Sequence, residues 1–138
     1  MKSIVECVPN FSEGKDKTII DSIIREIRSV EGISILSVDS GVDTNRTVVT
    51  MVGDINTVGE ASYVCIKQAS ELIDMKNHKG THPRLGATDV CPFIPISGVS
   101  LEECILLSER VGERVGEELK IPVYLYEKSS KKSYRKNL

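Results

Sequence analysis

The sequence predicts an α/β (α+β) fold, a two-layer sandwich with helices on one face of a mixed β-sheet. Two observations support this class: β-branched runs alternate with amphipathic helical stripes, and 40% of the residues are apolar against 28% charged. The predicted order is β-α-β-β-α-β-α-β, and its first six elements follow a ferredoxin-like order. A sheet with helices on one face leaves the other face open, so we expect that face to need a partner.

Five apolar or β-branched runs bounded by turn residues predict the strands. They cover residues 4–8, 33–38, 47–52, 90–96 and 123–126. The second and third runs are joined by the polar loop 39–46, so we expect them to be antiparallel neighbours. Pro92 and Pro95 confine the fourth run to a sheet edge or an irregular strand, because proline cannot donate to the ladder.

Three amphipathic patterns predict the helices. The first is an i, i+3, i+4 stripe from Ile19 to Val30, with Gly32 just past its end. Capping boxes that start at Thr57 and Ser100 predict where the other two begin. The apolar positions expected to be buried in these two helices are Val58, Ala61, Cys65, Ala69 and Leu72, and then Cys104, Leu107, Val111, Val115 and Leu119.

Length and charge narrow the class of protein. A chain of 138 residues has room for one domain of ordinary size, and its formal charge of −2 argues against a basic nucleic-acid scaffold. We find no run typical of a signal peptide or a membrane span, so we expect a cytoplasmic protein. The four isolated cysteines, without a C-x-x-C pair, predict buried free thiols in a reducing compartment. The basic residues of 128–138 indicate a solvated tail.

Polar residues that a core does not explain collect in three loops, at 10–14, 39–46 and 78–84. Both histidines, His78 and His82, lie in the third loop. Their i, i+4 spacing suits a zinc helix, but Gly80 and Pro83 disfavour a helix there and the glutamate of that motif is missing. We therefore predict no metal site. The chain also lacks a G-x-S-x-G turn and a phosphate-binding glycine loop.

These loops suit a proton-transfer site better. Histidine titrates near neutrality and can take and return a proton. Asp39, expected at a strand end, could accept a hydrogen bond from one ring nitrogen of a histidine in the site. Arg46 and Arg84 have planar guanidinium groups that could bind a substrate carboxylate. The alternative is a solvated loop with an incidental histidine and two surface arginines. Residue types and spacing alone leave both interpretations open.

The same loops resemble the N-terminal subdomain of glutamate formiminotransferase, which also occurs in formiminotransferase-cyclodeaminase. The blocks that carry the resemblance span residues 4–126. They are Glu6-Cys7-Val8-Pro9-Asn10-Phe11-Ser12-Glu13-Gly14, Asn45-Arg46-Thr47-Val48, His78-Lys79-Gly80, His82-Pro83-Arg84, Gly86-Ala87, Asp89-Val90-Cys91-Pro92-Phe93-Ile94-Pro95 and Pro122-Val123-Tyr124-Leu125-Tyr126.

The resemblance implies transfer of a formimino group from N-formiminoglutamate to N5 of tetrahydrofolate, the acceptor substrate, in histidine breakdown. It also implies that His82 is the catalytic acid and base. We add Asp39 to the catalytic residues, as the residue that orients His82. The residues expected to bind substrate are Arg46, Arg84, Asn10, Asn45, His78 and Lys79.

In the family a second subdomain follows this one, and folate lies in a tunnel between the two. We therefore expect residues 1–127 to form the N-terminal subdomain, and 128–138 to begin the linker to a C-terminal subdomain. The chain alone should transfer little, and a homodimer is expected. The other two interpretations are a non-catalytic folate-binding or assembly module that kept the fold, and a split enzyme whose other half is a separate chain.

Overall fold

The computed structural model describes residues 3–73 and 87–119, apart from the side chains of residues 89 and 90. Within these ranges the elements follow the predicted order, and the predicted strand at 123–126 lies outside them. In chain order they are β1 (Ile4–Cys7), β2 (Asn10–Phe11), α1 (Lys17–Arg28), β3 (Ser34–Gly41), β4 (Arg46–Gly53), α2 (Ile55–Leu72), β5 (Thr88–Val90), β6 (Phe93–Ser97) and α3 (Leu101–Arg114), which ends in a π-helical turn at Val115–Leu119.

The strands form one sheet in which β4 pairs with β3 on one side and with β1 on the other. β1 in turn pairs with β6, which gives the spatial order β3-β4-β1-β6. The ferredoxin-like start is therefore confirmed, since the strand after each helix skips one position in the sheet. The strand pairs of residues 3–73 and 87–119 are all antiparallel, so within these ranges the sheet that was predicted as mixed contains only antiparallel neighbours.

Helices cover one face of this sheet, as predicted. The side chains that alternate towards that face are buried against apolar residues of α1, α2 and α3. The strands contribute Val5, Cys7, Phe11, Val49 and Met51, and the helices contribute Ile23, Ile27, Val58, Ala61, Cys65, Ala69 and Cys104. The intervening residues, such as Glu6 and Val48, point to the opposite face, which we call the open face.

Prolines end or divide two of the predicted strands. The run 4–8 ends at Cys7 as β1, because Pro9 cannot donate to the ladder, and the strand β2 then begins at Asn10, where the sequence predicted a loop. The run 90–96 becomes β5 and β6, separated at Cys91 and Pro92. Both pieces lie at the ends of the strand path β5-β2-β4-β1-β6, which confirms the edge position predicted from Pro92 and Pro95.

The predicted loop 39–46 is shorter than expected. β3 extends to Gly41 and β4 begins at Arg46, so the connection is a tight turn over 42–45 that closes with a hydrogen bond from Asn45 N to Val42 O. The prediction that Asp39 lies at a strand end is therefore wrong: it lies inside β3, opposite Val48. The ladder between β3 and β4 continues past residue 39, where the polar residues had indicated the start of a loop, because the β-branched residues of β4 favour a strand.

The predicted start of α2 is also wrong, because Thr57 is not its N-cap. The helix begins at Ile55 after the N-cap Asp54, whose Oδ1 accepts a hydrogen bond of 2.8 Å from Thr57 N. Leu72 is 37% exposed and so leaves the predicted buried face. The capping box of α3 is confirmed, with Ser100 and Glu103 each bonding the other's backbone N–H. Each acidic or hydroxyl cap satisfies an amide that the first helical turn leaves without a partner.

Three of the four cysteines are buried: Cys7, Cys65 and Cys104. Cys91 is half-buried, so the prediction of four buried thiols is wrong there, because Cys91 lies in the connection between β5 and β6 rather than inside a strand. All four are free thiols. A search of the helices within 3–73 and 87–119 finds none with the length and apolar character that crossing a membrane requires.

Candidate functional site

The first two predicted loops are joined by a buried hydrogen bond. Gly14 N donates to Asn45 Oδ1 at 2.7 Å, and Thr47 Oγ1 donates to the carbonyl of Glu13. The two backbones lie so close that a Cβ on Gly14 would stand 2.2 Å from Gly41 O and 2.5 Å from Arg46 N. Residues 12–14 are therefore docked on the turn between β3 and β4, and glycine is required at position 14 because no side chain fits there.

The first loop is hydrogen-bonded to the chain that follows the third loop. Ser12 N donates to Ala87 O at 2.8 Å, and Ala87 is the first residue that the structure describes after position 73. Phe11 lies opposite Thr88 in the β2–β5 pair. The start of loop one and the residue that follows loop three thus meet at one end of the sheet.

Three candidate site residues share the open face of the sheet. Asp39 is opposite Val48 in β4, and Val48 is opposite Asn10 in β2. The candidates Asp39 and Asn10 therefore lie on the same face as Val48. Strands are spaced about 4.8 Å apart, which places the Asp39 and Asn10 positions about 10 Å from each other. Arg46, two residues before Val48, points to the same face. The exposed carboxylate of Asp39, the half-buried guanidinium of Arg46 and the buried carboxamide of Asn10 thus lie on the side away from the helices.

Two of the predicted substrate-binding residues make contacts within the fold. Asn10 is 7% exposed, and its Nδ2 donates to Val8 O at 3.1 Å. Asn45 is 6% exposed, adopts a φ of 51°, and offers its Oδ1 to Gly14 N. Asparagine tolerates this left-handed conformation better than most residues. Both carboxamides therefore stabilise the backbone that forms the site, whatever further contact they make with a substrate.

Four predicted site residues lie outside the described ranges: His78, Lys79, His82 and Arg84. Their geometry is not part of the structure, so the pairing of Asp39 with His82 stays a prediction. Asp39 itself is exposed and Arg46 is half-buried. Within 3–73 and 87–119, we find no group of three His, Cys, Asp or Glu side chains that could hold a metal ion.

Residue-by-residue sequence reasoning did not assign Ser12, Gly14 or Thr47 a place in the site. Ser12 and Thr47 are each 1% exposed, although both are polar. Thr47 Oγ1 also lies 3.0 Å from Ser40 Oγ of the neighbouring strand. A signal was present, because Gly14 ends a polar loop that is followed at once by a helix N-cap, Asp16. A glycine at such a position indicates a close backbone approach.

Comparison with known families identifies the family of the chain. Residues 4–138 match the model of the formiminotransferase domain, N-terminal subdomain. The chain belongs to this family. The match runs through the docked loop at 12–14, the turn at 42–45 and the Asp39–Val48–Asn10 row on the open face. The resemblance expected from the sequence is confirmed.

Full-length relatives are similar to the chain from end to end. The formimidoyltransferase-cyclodeaminase of Dictyostelium discoideum is 51% identical over 138 residues, which cover 100% of the chain and 26% of that protein. The glutamate formimidoyltransferase of Streptococcus pyogenes serotype M1 is 47% identical over 138 residues and 46% of its length. That of Thermoplasma acidophilum is 46% identical over 136 residues, 99% of the chain and 45% of its length. The formiminotransferase subdomain described here thus spans between a quarter and a half of these relatives.

Proposed function

We propose that the chain is the N-terminal half of a glutamate formiminotransferase, which moves a formimino group from N-formiminoglutamate to N5 of tetrahydrofolate. The observation that carries this is the family match over residues 4–138, at 47% identity to a glutamate formimidoyltransferase of about twice the length. Because the chain covers less than half of that relative, we propose that it acts together with a C-terminal half. Tetrahydrofolate is then a substrate of the assembled site.

The proposed reaction needs two proton transfers, one to His82 and one from it. As the N5 amine attacks the amidine carbon, His82 accepts a proton, and it then returns one to the departing nitrogen of glutamate. Asp39 fixes the ring orientation of His82, while Arg46 and Arg84 bind carboxylates as bidentate donors. Asn10, Asn45, His78 and Lys79 complete the polar lining. Asp39, Asn10 and Arg46 share the open face, which supports a substrate lying on that side of the sheet.

The open face also supports a contact with the C-terminal half. Ile4, Ile94 and Ile96 are 41%, 40% and 53% exposed. Ile94 lies opposite Glu6 on β1, so it points to the open face. Exposed apolar side chains beside a polar site are typical of a surface that a partner covers. We propose that the C-terminal half, on the same polypeptide or as a separate chain, covers these isoleucines. We also propose that the assembled protein is a cytoplasmic homodimer.

The experiment compares the chain alone, a C-terminal half alone, and the two together. The C-terminal half is taken from the Streptococcus pyogenes relative. Transfer from formiminoglutamate to tetrahydrofolate is followed, and binding of 5-formyltetrahydrofolate is measured by titration calorimetry. We expect transfer only from the mixture, and its loss by at least about 10²-fold in His82→Ala. Folate binding without transfer in the mixture would instead favour a non-catalytic folate-binding or assembly module.

A further inference from the structure

Two thiols from distant parts of the sequence meet beneath the sheet. Cys7 Sγ of β1 and Cys91 Sγ, which precedes β6, are 3.5 Å apart although the residues are 84 positions apart. The backbone holds them there, because Val8 N donates to Pro92 O at 3.2 Å, one residue beyond each cysteine. Cys7 also lies opposite Phe93 in the β1–β6 ladder. The proposed transfer reaction uses neither sulfur.

We infer that Cys7 and Cys91 form an oxidisable pair, a modification site that a peroxide converts into a reversible disulfide. A disulfide needs an S–S distance of about 2.05 Å, so the two sulfurs must approach by about 1.5 Å. A small rotation of each side chain supplies this, since both strands are already paired in the ladder. Cys7 is the last residue of β1 and Cys91 lies two residues before β6, and these two strands need not move relative to each other.

The two cysteines differ in access, which sets the order of the steps. Cys91 is half-buried, whereas Cys7 is completely buried. Burial raises the pKa of the Cys7 thiol well above its usual value, so little thiolate is present there at neutral pH. Cys91 therefore meets the oxidant first, because it is the more accessible of the two thiols.

The chemistry balances with hydrogen peroxide as the oxidant. The Cys91 thiolate attacks one peroxide oxygen, the O–O bond breaks, and water leaves after protonation, which gives a sulfenic acid. Cys7 sulfur then attacks the Cys91 sulfur, its thiol proton goes to the departing hydroxide, and a second water is released. Two thiols have lost two electrons and peroxide has gained them. A dithiol reductant reverses the change by thiol exchange.

The test treats the reduced 138-residue chain with hydrogen peroxide, alkylates the remaining thiols and maps the peptides by mass spectrometry. Trypsin alone leaves Cys91 and Cys104 on one peptide, between Arg84 and Arg110, so Glu-C is added to cut at Glu102 and Glu103. We expect a Cys7–Cys91 crosslinked peptide that dithiothreitol separates. Oxidation that stops on Cys91, a bond from Cys91 to Cys65, or two reduced thiols would each overturn the inference.

Two variants separate the roles of the thiols. In Cys7→Ala the sulfenic acid of Cys91 loses the thiol 3.5 Å away, so labelling by dimedone should rise several-fold over the unsubstituted chain. If Cys7→Ala does not fold, Cys91→Ala at the half-buried position serves instead, and Cys7 should then stay reduced under the same treatment. Cys104→Ala is the matched control: it removes a buried thiol from α3 and should leave the Cys7–Cys91 crosslink unchanged.

Discussion

The carboxamide of Asn45 accepts the backbone N–H of Gly14 at 2.7 Å, and this buried hydrogen bond joins the loop after β2 to the turn before β4. The bond connects residues 31 positions apart. It explains why a polar residue with a φ of 51° lies in the interior. The loops that surround the proposed substrate site therefore depend on a contact that no substrate makes.

Loss of this contact should destabilise the fold. Asn45→Ala leaves Gly14 N without its acceptor and replaces asparagine with a residue that tolerates the left-handed region less well, which together should cost about 2–4 kcal/mol in the free energy of unfolding. Asn45→Gly keeps the conformation and loses only the acceptor, so it should cost about 1–3 kcal/mol. Asn45→Asp keeps the acceptor oxygen and should cost least. Urea unfolding of the three variants measures this order, and equal losses in all three would contradict it.

The docking of residues 12–14 predicts a large effect of Gly14→Ala. The added Cβ would meet backbone atoms of Gly41 and Arg46 at 2.2 and 2.5 Å, and backbone cannot move aside cheaply. We expect a loss of more than about 3 kcal/mol, at the upper end of overpacking effects. Gly59→Ala is the control, because its Cβ would meet only Leu107 Cδ1, at 2.8 Å, at the end of a flexible side chain. Denaturant midpoints compare the two, and a smaller loss at Gly14 would be the contrary result.

The start of α2 can be tested at its cap. Asp54→Ala should cost about 1 kcal/mol, since Thr57 N loses its acceptor at the end of the helix. Asp54→Asn keeps a side-chain oxygen and should cost only a few tenths of a kcal/mol. Thermal unfolding distinguishes these values. No change in Asp54→Ala would return the cap to Thr57, the position that the sequence pattern indicated.

Buried thiols predict a loss of stability in alkali. Burial raises the pKa of both Cys7 and Cys65, and the charged form is therefore disfavoured only in the folded state. The unfolded chain releases these protons first, near pH 8.5, so this contribution is complete below about pH 8.5 and declines as the pH rises towards the folded values. Each pH unit between the two values costs about 1.4 kcal/mol per thiol.

The measurement is the urea midpoint of the reduced chain at several pH values from about 8 to 10. Cys65→Ala removes one of the two contributions, so its stability should fall less steeply with pH than that of the unsubstituted chain. Cys104→Ala removes a thiol whose pKa burial also raises, by less, and serves for comparison. Parallel slopes in the unsubstituted chain and Cys65→Ala would contradict the prediction.

The open face can be tested without disturbing the core. Ile94→Glu places a charge on an exposed side chain of β6 that points to the open face, and should weaken association with a C-terminal half by at least about tenfold. Leu106→Glu is the matched control, because Leu106 is 56% exposed on α3, away from that face. Calorimetric titration of each variant with the C-terminal half gives the affinities. Equal weakening by both would place the contact elsewhere.

Asp39 offers a test of the proposed chemistry. In the mixture of the two halves, Asp39→Asn should lower the rate of formimino transfer by about 10²-fold, if this carboxylate orients the general acid and base. Asp21→Asn removes an equally exposed carboxylate from α1 and should leave the rate unchanged. Normal circular dichroism of both variants is the check on folding. A full rate in Asp39→Asn would remove Asp39 from the mechanism.

The sequence by itself determined the class, the element order and the family. Periodicity of apolar residues located α1 and the strands of β3 and β4, and the Ser100 capping box located α3, because these signals are local and repeat along the chain. The blocks around Asn10, Arg46 and His82 identified the family without any knowledge of their contacts. Local patterns misplaced Thr57 as a cap, since the Asp54 side chain accepts the Thr57 amide and the helix has already begun at Ile55.

Only the tertiary structure decided what meets across the sheet. The strand register places Asp39, Val48 and Asn10 in one row on the open face. It also shows that Asp39 lies in β3, where the sequence predicted a loop. The hydrogen bond between Gly14 and Asn45 and the approach of Cys7 to Cys91 join residues 31 and 84 positions apart. No local pattern encodes such contacts, because they arise from the way in which antiparallel pairing and helix packing close the chain on itself.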